Sequence, residues 1–441
     1  MVKKIISVSS LASLFYISQS LYASGFSIIE HSASGLGQAF AGASAVAEDA
    51  STIYFNPAGM TFLEGSQITA GIHIIKPKTS FNDAGTQATL AGTIPVALNS
   101  ASGGDAGGYN FVPNFYYVTE INNALHFGIG VNSPVGLNTS YDDNWMGRYT
   151  SIESDLKSMN INPSIAFKAS EKLSLGIGVS VQYLKVKLVN KSYLCGHPQL
   201  APSCNPTSAS EVIASDATTT MKGDGWSAGF NLGMIYQPIK STRIGLAYRS
   251  AVKHDLSGDL NAITNSGFSL ANKNITADME VPETLSLSLT HQTSSKLMLL
   301  ADITYTGWSR FEELRVSFDD GSPDDVTEEK WSDSMRYSIG AKYQLSPTMI
   351  LRTGIAHDRT PIDDQYRTSR IPGDHRTWLS LGISYQLSNQ LSMDIGYAHL
   401  WVKAAKINEH FDGLAGAMQG ELAGEYDSSV DILSAQVNWK F

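Results

Sequence analysis

The sequence predicts an all-β protein, a 14-stranded antiparallel transmembrane β-barrel with a small N-terminal hatch, or plug, inside the lumen. Three observations predict it. Apolar and polar residues alternate with period two through most of the chain. Short and long connections alternate between these segments, as in an up-and-down barrel. Residues 24–64 lack the alternation and are rich in small residues.

Composition indicates apolar residues interleaved with small polar ones and excludes helical membrane spans. Only 16% of the 441 residues are charged, below the roughly 25% typical of soluble domains. No apolar run reaches the roughly 18 residues that a membrane helix needs. The net charge of −10 argues against a nucleic-acid partner, which would require a basic face.

Residues 1–23 are predicted to be a secretory signal peptide. Lys3 and Lys4 precede a mostly apolar stretch that ends at Ala23. A helical anchor is the alternative, but the stretch is short and rich in serine. The mature chain would then begin at Ser24 and comprise the hatch, residues 24–64, and the barrel, residues 65–441.

The chain contains two cysteines, Cys195 and Cys204, close together in a proline-rich stretch. In an exported protein, this spacing favours one disulfide within a loop. Two free thiols are the alternative. A zinc site would need further ligands, and beyond His197 none is evident.

The last residues show the strand pattern clearly. Leu433, Val437 and Phe441 belong to an apolar series, and Ser434, Gln436 and Lys440 to the polar series between them. This is the pattern of a strand between lipid and a polar interior. The terminal aromatic residue resembles the signal that the bacterial barrel assembly machinery recognises. The predicted strands are 65–81, 109–120, 124–137, 156–169, 172–191, 223–237, 242–256, 278–291, 296–317, 331–345, 348–359, 374–387, 391–408 and 428–441.

The predicted long connections mark the external side of the barrel. They lie near residues 82–108, 138–155, 192–222, 257–277, 318–330, 360–373 and 409–427. An even strand number then places both chain ends in the periplasm. Closure is expected because lipid cannot satisfy the polar groups of an open sheet edge.

Residues 24–64 are expected to fill the lumen, because a barrel of this size is wider than its side chains can fill. Small residues dominate from Ser34 to Ser44, and 39–50 is expected to form a short helix. A disordered periplasmic arm is the alternative.

The motifs of this region resemble the hatch of the FadL family, outer-membrane transporters of long-chain fatty acids and other hydrophobic compounds, including the aromatic-hydrocarbon branch. The resemblance rests on an ordered series of short motifs and covers nearly the whole mature chain. They are Gly25-Phe26, Ser34 to Gly42, Asn56-Pro57-Ala58-Gly59-Met60, Asn132-Ser133-Pro134, Trp145 to Tyr149, Pro282-Glu283-Thr284, Trp308 to Phe311 and Ile371 to Trp378.

The resemblance implies a mechanism. Ligand would settle among the external loops, move to a lumen site near the start of the hatch, and leave sideways where the third strand kinks. Gly25 and Phe26 would line the lumen site, and Asn56, Pro57 and Ala58 match the hatch motif. The family implies a monomer that requires no cofactor or metal.

The third strand carries residues that could form the side gap. Pro134 cannot donate to the ladder; Asn132 lies just before it, and Gly128 and Gly130 lie further back in the strand. Alternatively, Pro134 only ends the strand. Val135 stands where the family commonly has an aromatic residue, which leaves the lining of the gap open.

Four arginines, Arg249, Arg336, Arg352 and Arg376, alternate toward the lumen, as do Asp302 and Asp394. A charge facing lipid would cost about 2–4 kcal/mol at the midplane, so an inward orientation is expected. The arginines could bind a fatty-acid carboxylate. They could equally form structural ion pairs, as is common in barrels.

Two patterns that resemble sites are interpreted as structural. Ser227 lies in a G-x-S-x-G sequence, but strand alternation continues through it, whereas a nucleophile elbow needs a sharp turn. The acidic stretch 319–325 lacks the spacing of a calcium loop and is expected in an outer loop, close to lipopolysaccharide.

The function predicted is therefore uptake of long-chain fatty acids or similar hydrophobic molecules through the outer membrane of a Gram-negative bacterium, without catalysis. Outer-membrane lipid, lipopolysaccharide and the assembly machinery are the expected macromolecular partners. A general diffusion porin or adhesin on the same barrel is the alternative, although it would not need a hatch. A barrel enzyme would need a Ser/His pair near the outer interface, and none stands out.

Overall fold

A computed structural model describes residues 25–90, 94–194, 208–412 and 418–441. Twenty-two strand segments form one antiparallel sheet. They are β1 (Ser66–Asp83), β2 (Gln87–Leu90), β3 (Ile94–Pro95), β4 (Asn110–Asn122), β5 (Leu125–Asn132), β6 (Gly136–Ser140), β7 (Glu153–Ser170), β8 (Leu173–Tyr193), β9 (Asp216–Ile239), β10 (Thr242–Arg249), β11 (Val252–Thr264), β12 (Ser269–Val281), β13 (Thr284–Gln292), β14 (Leu297–Thr306), β15 (Glu313–Phe318), β16 (Asp325–Glu328), β17 (Ser334–Ser346), β18 (Met349–Asp358), β19 (Arg376–Gln386), β20 (Leu391–Val402), β21 (Ala405–Asp412) and β22 (Met418–Lys440).

These segments build a closed barrel of 14 strands, as predicted. Six barrel strands are interrupted and consist of two segments each: β1 with β2, β5 with β6, β10 with β11, β12 with β13, β14 with β15, and β20 with β21. The ladder between β1 and β22 closes the sheet, from the Gln67–Lys440 pair to the Asp83–Gly424 pair. No helix in the described part of the chain is long and apolar enough to cross a membrane.

The alternation in sequence becomes two faces of the wall. On β8, Ile177 and Val179 are exposed on the outer face, whereas Ser180 and Gln182 are buried inside. Apolar residues toward lipid and small polar residues toward the interior explain why a membrane protein has so few charges and yet a mean hydropathy near zero.

The predicted upper ends of several strands are wrong. The connections expected at 257–277 and 409–427 are mostly strand, since β11, β12, β21 and β22 extend into them. Their inner faces remain apolar, for example at Leu260 and Leu422, but their outer faces are polar because they stand above the lipid. Because of this polarity, the sequence pattern predicts loops at these strand ends.

The segment that precedes β1, residues 25–64, is called the N-terminal segment below, and most of it is buried. It contains three short helices, α1 (Ala33–Leu36), α2 (Ala43–Val46) and α3 (Thr52–Phe55), followed by a 3₁₀ turn, Pro57–Phe62. The single helix expected at 39–50 is wrong. Ala39, Phe40 and Ala47 have φ near +50°. Ala39 and Phe40 turn the chain between α1 and α2, and Ala47 ends α2.

The N-terminal segment lies directly against wall glycines. A Cβ atom on Gly245 would come within 2.0 Å of the Ser44 carbonyl oxygen, and one on Gly354 within 2.2 Å of the Gln38 carbonyl oxygen. Gly176, Gly233 and Gly396 leave similar room for the segment. The fit between segment and wall therefore requires glycine on the inner face of several strands.

Candidate ligand-binding cavities and wall break

Two cavities lie one after the other inside the barrel. The outer cavity, of about 800 Å³, is lined mostly by apolar side chains of the upper strand ends, including Leu156, Met279 and Val316. The inner cavity, of about 1140 Å³, is lined by the N-terminal segment and by β9, β10, β13 and β14. Phe26 lines the outer cavity, and the next residues, Ser27 and Ile28, line the inner one.

An aromatic cage holds Phe26 at the junction of the two cavities. Its ring lies edge-on to Trp308 at 4.7 Å and to Phe311 at 5.4 Å, and 5.7 Å from Trp331, between centroids. Gly25 precedes it with φ of +61°, and a Cβ atom there would lie 2.5 Å from the Trp331 ring and 2.6 Å from Trp308. Only glycine fits this position. The cage therefore fixes the start of the N-terminal segment between the two cavities.

The wall is broken beside this junction. The ladder between β4 and β5 ends at the Phe115–Val131 pair, and within the described residues β6 pairs only with β7. The interruption between β5 and β6 falls at residues 133–135. Pro134 lines the inner cavity, so the cavity reaches the break.

The start of the N-terminal segment pairs with the interrupted strand. Ser27 forms an antiparallel bridge with Val135. The amide of Ile28 donates to the Pro134 carbonyl oxygen, and the amide of Gly136 donates to the Phe26 carbonyl oxygen, both at 2.9 Å. The segment thus satisfies backbone groups that a neighbouring wall strand would otherwise bind.

Gly128 and Gly130, the two glycines predicted at the side gap, precede the break in β5, where the ladder with β7 is regular. A Cβ atom on Gly128 would approach Met60 and Ile53 of the N-terminal segment, and one on Gly130 would approach Tyr116. They make room inside the barrel. Asn132 lies at the last pair before the break, where its side-chain oxygen accepts from Asn160 at 3.1 Å.

Arg249 and Arg336, two of the four predicted arginines, line the inner cavity. Arg249 donates to Ser180 Oγ at 2.8 Å and to the Tyr54 carbonyl oxygen at 2.9 Å. Arg336 donates to the Ala39 carbonyl oxygen at 2.7 Å. Both are buried and lie close to the N-terminal segment, with Asp302 and Asp358 in the same lining.

The other two arginines line neither cavity themselves and are in ion pairs. Arg352 lies toward the periplasmic side, 2.7 Å from Glu48 of the N-terminal segment, which Lys342 also contacts. Arg376 lies 3.6 Å from Asp358. Arg352 therefore joins the segment to the wall, whereas Arg376 joins β19 to β18 within the wall.

The Asn56-Pro57-Ala58 motif anchors the N-terminal segment. The Asn56 side-chain amide donates to the carbonyl oxygens of Ser44 at 2.7 Å and Met234, on β9, at 3.0 Å. Its side-chain oxygen accepts from the Ala58 amide at 3.0 Å. Pro57 begins the 3₁₀ turn. One buried side chain thereby joins two parts of the segment to the wall.

Replacing Asn56 by alanine is expected to lower the free energy of unfolding by about 2 kcal/mol, because the Ser44 carbonyl and Ala58 amide lose partners in a buried site. The temperature at which the folded band disappears in heat-modifiable gel mobility should fall. Asn408→Ala, at an exposed position of β21, is the control. An unchanged transition in Asn56→Ala would contradict the anchoring role.

Several residues of the site were not predicted as such. Trp308, Phe311 and Trp331 form the cage, and Arg370 and Glu329 line the outer cavity. Trp308 and Phe311 belong to one sequence motif, to which no role was assigned from sequence. Nothing in the local sequence distinguishes Arg370 and Glu329, because they meet only through the packing of separate external connections.

Three further predictions concern the cysteines, Ser227 and metal binding. Cys195 and Cys204 lie outside the described residues. Ser227 is in the middle of β9, where its hydroxyl donates to the Lys253 carbonyl oxygen at 2.5 Å, so no nucleophile elbow forms. Among the described residues, no group of three or more His, Cys, Asp or Glu side chains is arranged to hold a metal ion.

Comparison with known proteins agrees with this architecture. The family model described as "Outer membrane protein transport protein (OMPP1/FadL/TodX)" matches residues 14–441. Outer membrane protein P1 of Haemophilus influenzae Rd is 32% identical over 410 residues, 88% of each chain. The long-chain fatty acid transport protein of Escherichia coli K12 is 29% identical, covering 92% of this chain and 94% of the relative.

Solved structures show the same fold. A Pseudomonas aeruginosa FadL homologue has a TM-score of 0.84 at 24% identity, covering 95% of this chain and 100% of that chain. The Ralstonia pickettii toluene transporter TbuX has a TM-score of 0.65 at 18% identity, covering 95% and 99%. With the family model matching nearly the whole chain, this protein belongs to the FadL/TodX/OMPP1 family of outer-membrane transport proteins.

Proposed function

We propose that this protein takes up long-chain fatty acids or similar hydrophobic molecules through the outer membrane. The observation that carries the proposal is the arrangement of two cavities in series, separated at Phe26, with a break in the wall beside the inner one. Two similar proteins, a long-chain fatty acid transport protein and a toluene transporter, support the same class of ligand.

The route that we propose runs from the outer cavity past Phe26 into the inner cavity, and then sideways through the break at residues 133–135. A straight route to the periplasm is disfavoured because the N-terminal segment packs backbone to backbone against Gly245 and Gly354. In this role the segment is a hatch that stays in the lumen. Its first residues, Gly25 to Ile28, must leave the interrupted strand before the ligand can pass.

Charged side chains suited to a carboxylate occur in both cavities. Arg370 is the arginine of the outer cavity, and Arg249 and Arg336 are those of the inner cavity. Such charge-assisted hydrogen bonds are among the stronger ones in proteins. We propose that the carboxylate binds Arg370 first, whereas Arg352 holds the hatch in place through Glu48 and Arg376 joins two wall strands through Asp358.

The hatch disfavours a general diffusion porin, which needs an open aqueous lumen. We further propose that the protein acts as a monomer without catalytic activity. Lipid and lipopolysaccharide would surround the barrel, and the strand that ends at Phe441 would be recognised by the barrel assembly machinery.

Binding of radiolabelled oleate to purified, detergent-folded protein tests this function. We expect saturable binding that weakens in a variant lacking Gly25 and Phe26. Replacing Arg370 by alanine should weaken binding roughly tenfold or more, since a hydrogen bond to a charged group contributes about 1.5–3 kcal/mol. Arg315→Ala, on an exposed strand, is the control. Folded wild-type protein that binds no oleate would contradict the fatty-acid assignment.

A further inference from the structure

The outer cavity has a mostly apolar lining that includes four ionisable residues. Glu329, in the connection between β16 and β17, and Arg370, in the connection between β18 and β19, both line it. Glu329 is 5% exposed. The other ionisable residues of the lining are Asp155 and Lys222. An amphiphile in this cavity would therefore place its head group between Glu329 and Arg370, or near the Asp155–Lys222 side.

The surroundings of Glu329 are those of a neutral carboxyl group. Its Oε2 accepts from the Trp331 indole nitrogen at 2.8 Å, and among the described residues no cationic nitrogen lies within 4.0 Å of it. A buried carboxylate without an ion-pair partner is costly, so such a group takes up a proton instead.

Arg370 does not offset this burial, because it is shared with a second acid. Glu409 on β21 is half-buried beside it and accepts from the Ser369 amide at 2.8 Å. Burial, together with the Glu409 charge, raises the pKa of Glu329 to about 8, against the smaller opposing effects of the Trp331 hydrogen bond and Arg370. Glu329 is thus mostly protonated at neutral pH.

Resting on the function proposed above, we propose that Glu329 is a head-group ligand: its protonated carboxyl donates a hydrogen bond to the anionic head of the substrate while Arg370 supplies the positive charge. Oε2 already accepts from Trp331, so Oε1 carries the proton. The outer cavity would then prefer amphiphiles with an oxyanion head over plain hydrocarbons.

This arrangement also places the head group next to the Phe26 cage. Trp331 bonds to Glu329 through its indole nitrogen, and its ring lies 4.9 Å from Trp308 and 5.7 Å from Phe26, between centroids. A ligand bound to Glu329 therefore lies one side chain from the residue that separates the two cavities.

The protonation state of Glu329 determines whether the affinity for an anionic head group rises or falls with pH. The neutral carboxyl attracts an anionic head group and the ionised one repels it, so affinity is full below the pKa and is lost as the pH rises through it. Binding that requires the protonated form weakens roughly tenfold for each pH unit above the pKa.

The test compares two ligands whose head groups do not titrate, hexadecanesulfonate and hexadecanol, with full-length protein in detergent between pH 6.5 and 9.5. Wild type should lose roughly tenfold or more of its affinity for the sulfonate across this range, and none for the alcohol. Glu329→Gln keeps a hydrogen-bond donor at every pH, so its sulfonate affinity should stay constant. Glu409→Gln leaves Glu329 in place, so its affinity for the sulfonate should still fall as the pH rises.

Two results would overturn the role of Glu329: sulfonate binding by wild type that does not change with pH, or the same fall in Glu329→Gln. Heat-modifiable gel mobility shows whether each variant is folded. If folded wild type binds neither ligand at any pH, the proposed transport of hydrophobic molecules fails instead, so the two failures are distinguishable.

Discussion

Valine at position 354 is expected to displace the N-terminal segment and make the barrel leak. Gly354 faces inward on β18, and its missing side chain leaves room for the backbone of the segment. A Cβ atom would lie 2.2 Å from the Gln38 carbonyl oxygen and 2.9 Å from the Ala39 nitrogen. Both are backbone atoms, so no side-chain rotation relieves the overlap. Overpacking of this kind costs about 1–3 kcal/mol, or more where backbone must move.

The variant should show a lower transition temperature in heat-modifiable gel mobility and a measurable ion conductance in planar bilayers, where wild type conducts little. Thr353→Val is the matched control, because Thr353 is the neighbouring residue on the exposed, lipid-facing side of the same strand. If Gly354→Val and wild type conduct equally and melt together, the segment does not seal the lumen at this contact.

The strand number could be predicted because lipid and lumen impose opposite polarity on alternate residues. On β8 and β22 this pattern holds through the membrane. Above the membrane the outer face meets water, so the apolar–polar contrast weakens, and the upper ends of β11, β12, β21 and β22 were missed. The fold therefore follows from local sequence only where lipid contacts the wall.

Pro134 could be predicted because proline cannot donate to a strand ladder, and Gly25-Phe26 because the pair matches a family motif. The structure places these residues together at the wall break. Arg370 and Glu329 could not be identified, because each is ordinary in its own loop. Only the fold brings their two connections to one cavity.

The short helices of the N-terminal segment show the same limit. Alanine-rich sequence from Ala39 to Ala50 favours helix locally, yet left-handed residues interrupt it. The wall decides the path, since Gln38 and Ser44 must lie against Gly354 and Gly245. Packing against strands distant in sequence thus overrides the local preference.

A disulfide between the start of the N-terminal segment and the interrupted strand is expected to stop transport without stopping binding. Ser27 and Val135 face each other between two hydrogen bonds, Ile28 to Pro134 and Gly136 to Phe26. Such non-hydrogen-bonded pairs have Cα atoms about 4.5 Å apart, which a disulfide can span. The oxidised double variant, Ser27→Cys with Val135→Cys, would hold the segment over the break.

The effect of this disulfide is measured as uptake of radiolabelled oleate by Gram-negative cells that lack their own fatty-acid transporter. The account predicts that the oxidised double variant supports no more uptake than cells without the protein, and that a reductant restores it. Each single-cysteine variant and wild type, treated identically, should remain active, and the oxidised protein should still bind oleate in detergent. Uptake by the oxidised double variant equal to that of wild type would contradict sideways release past Ser27 and Val135.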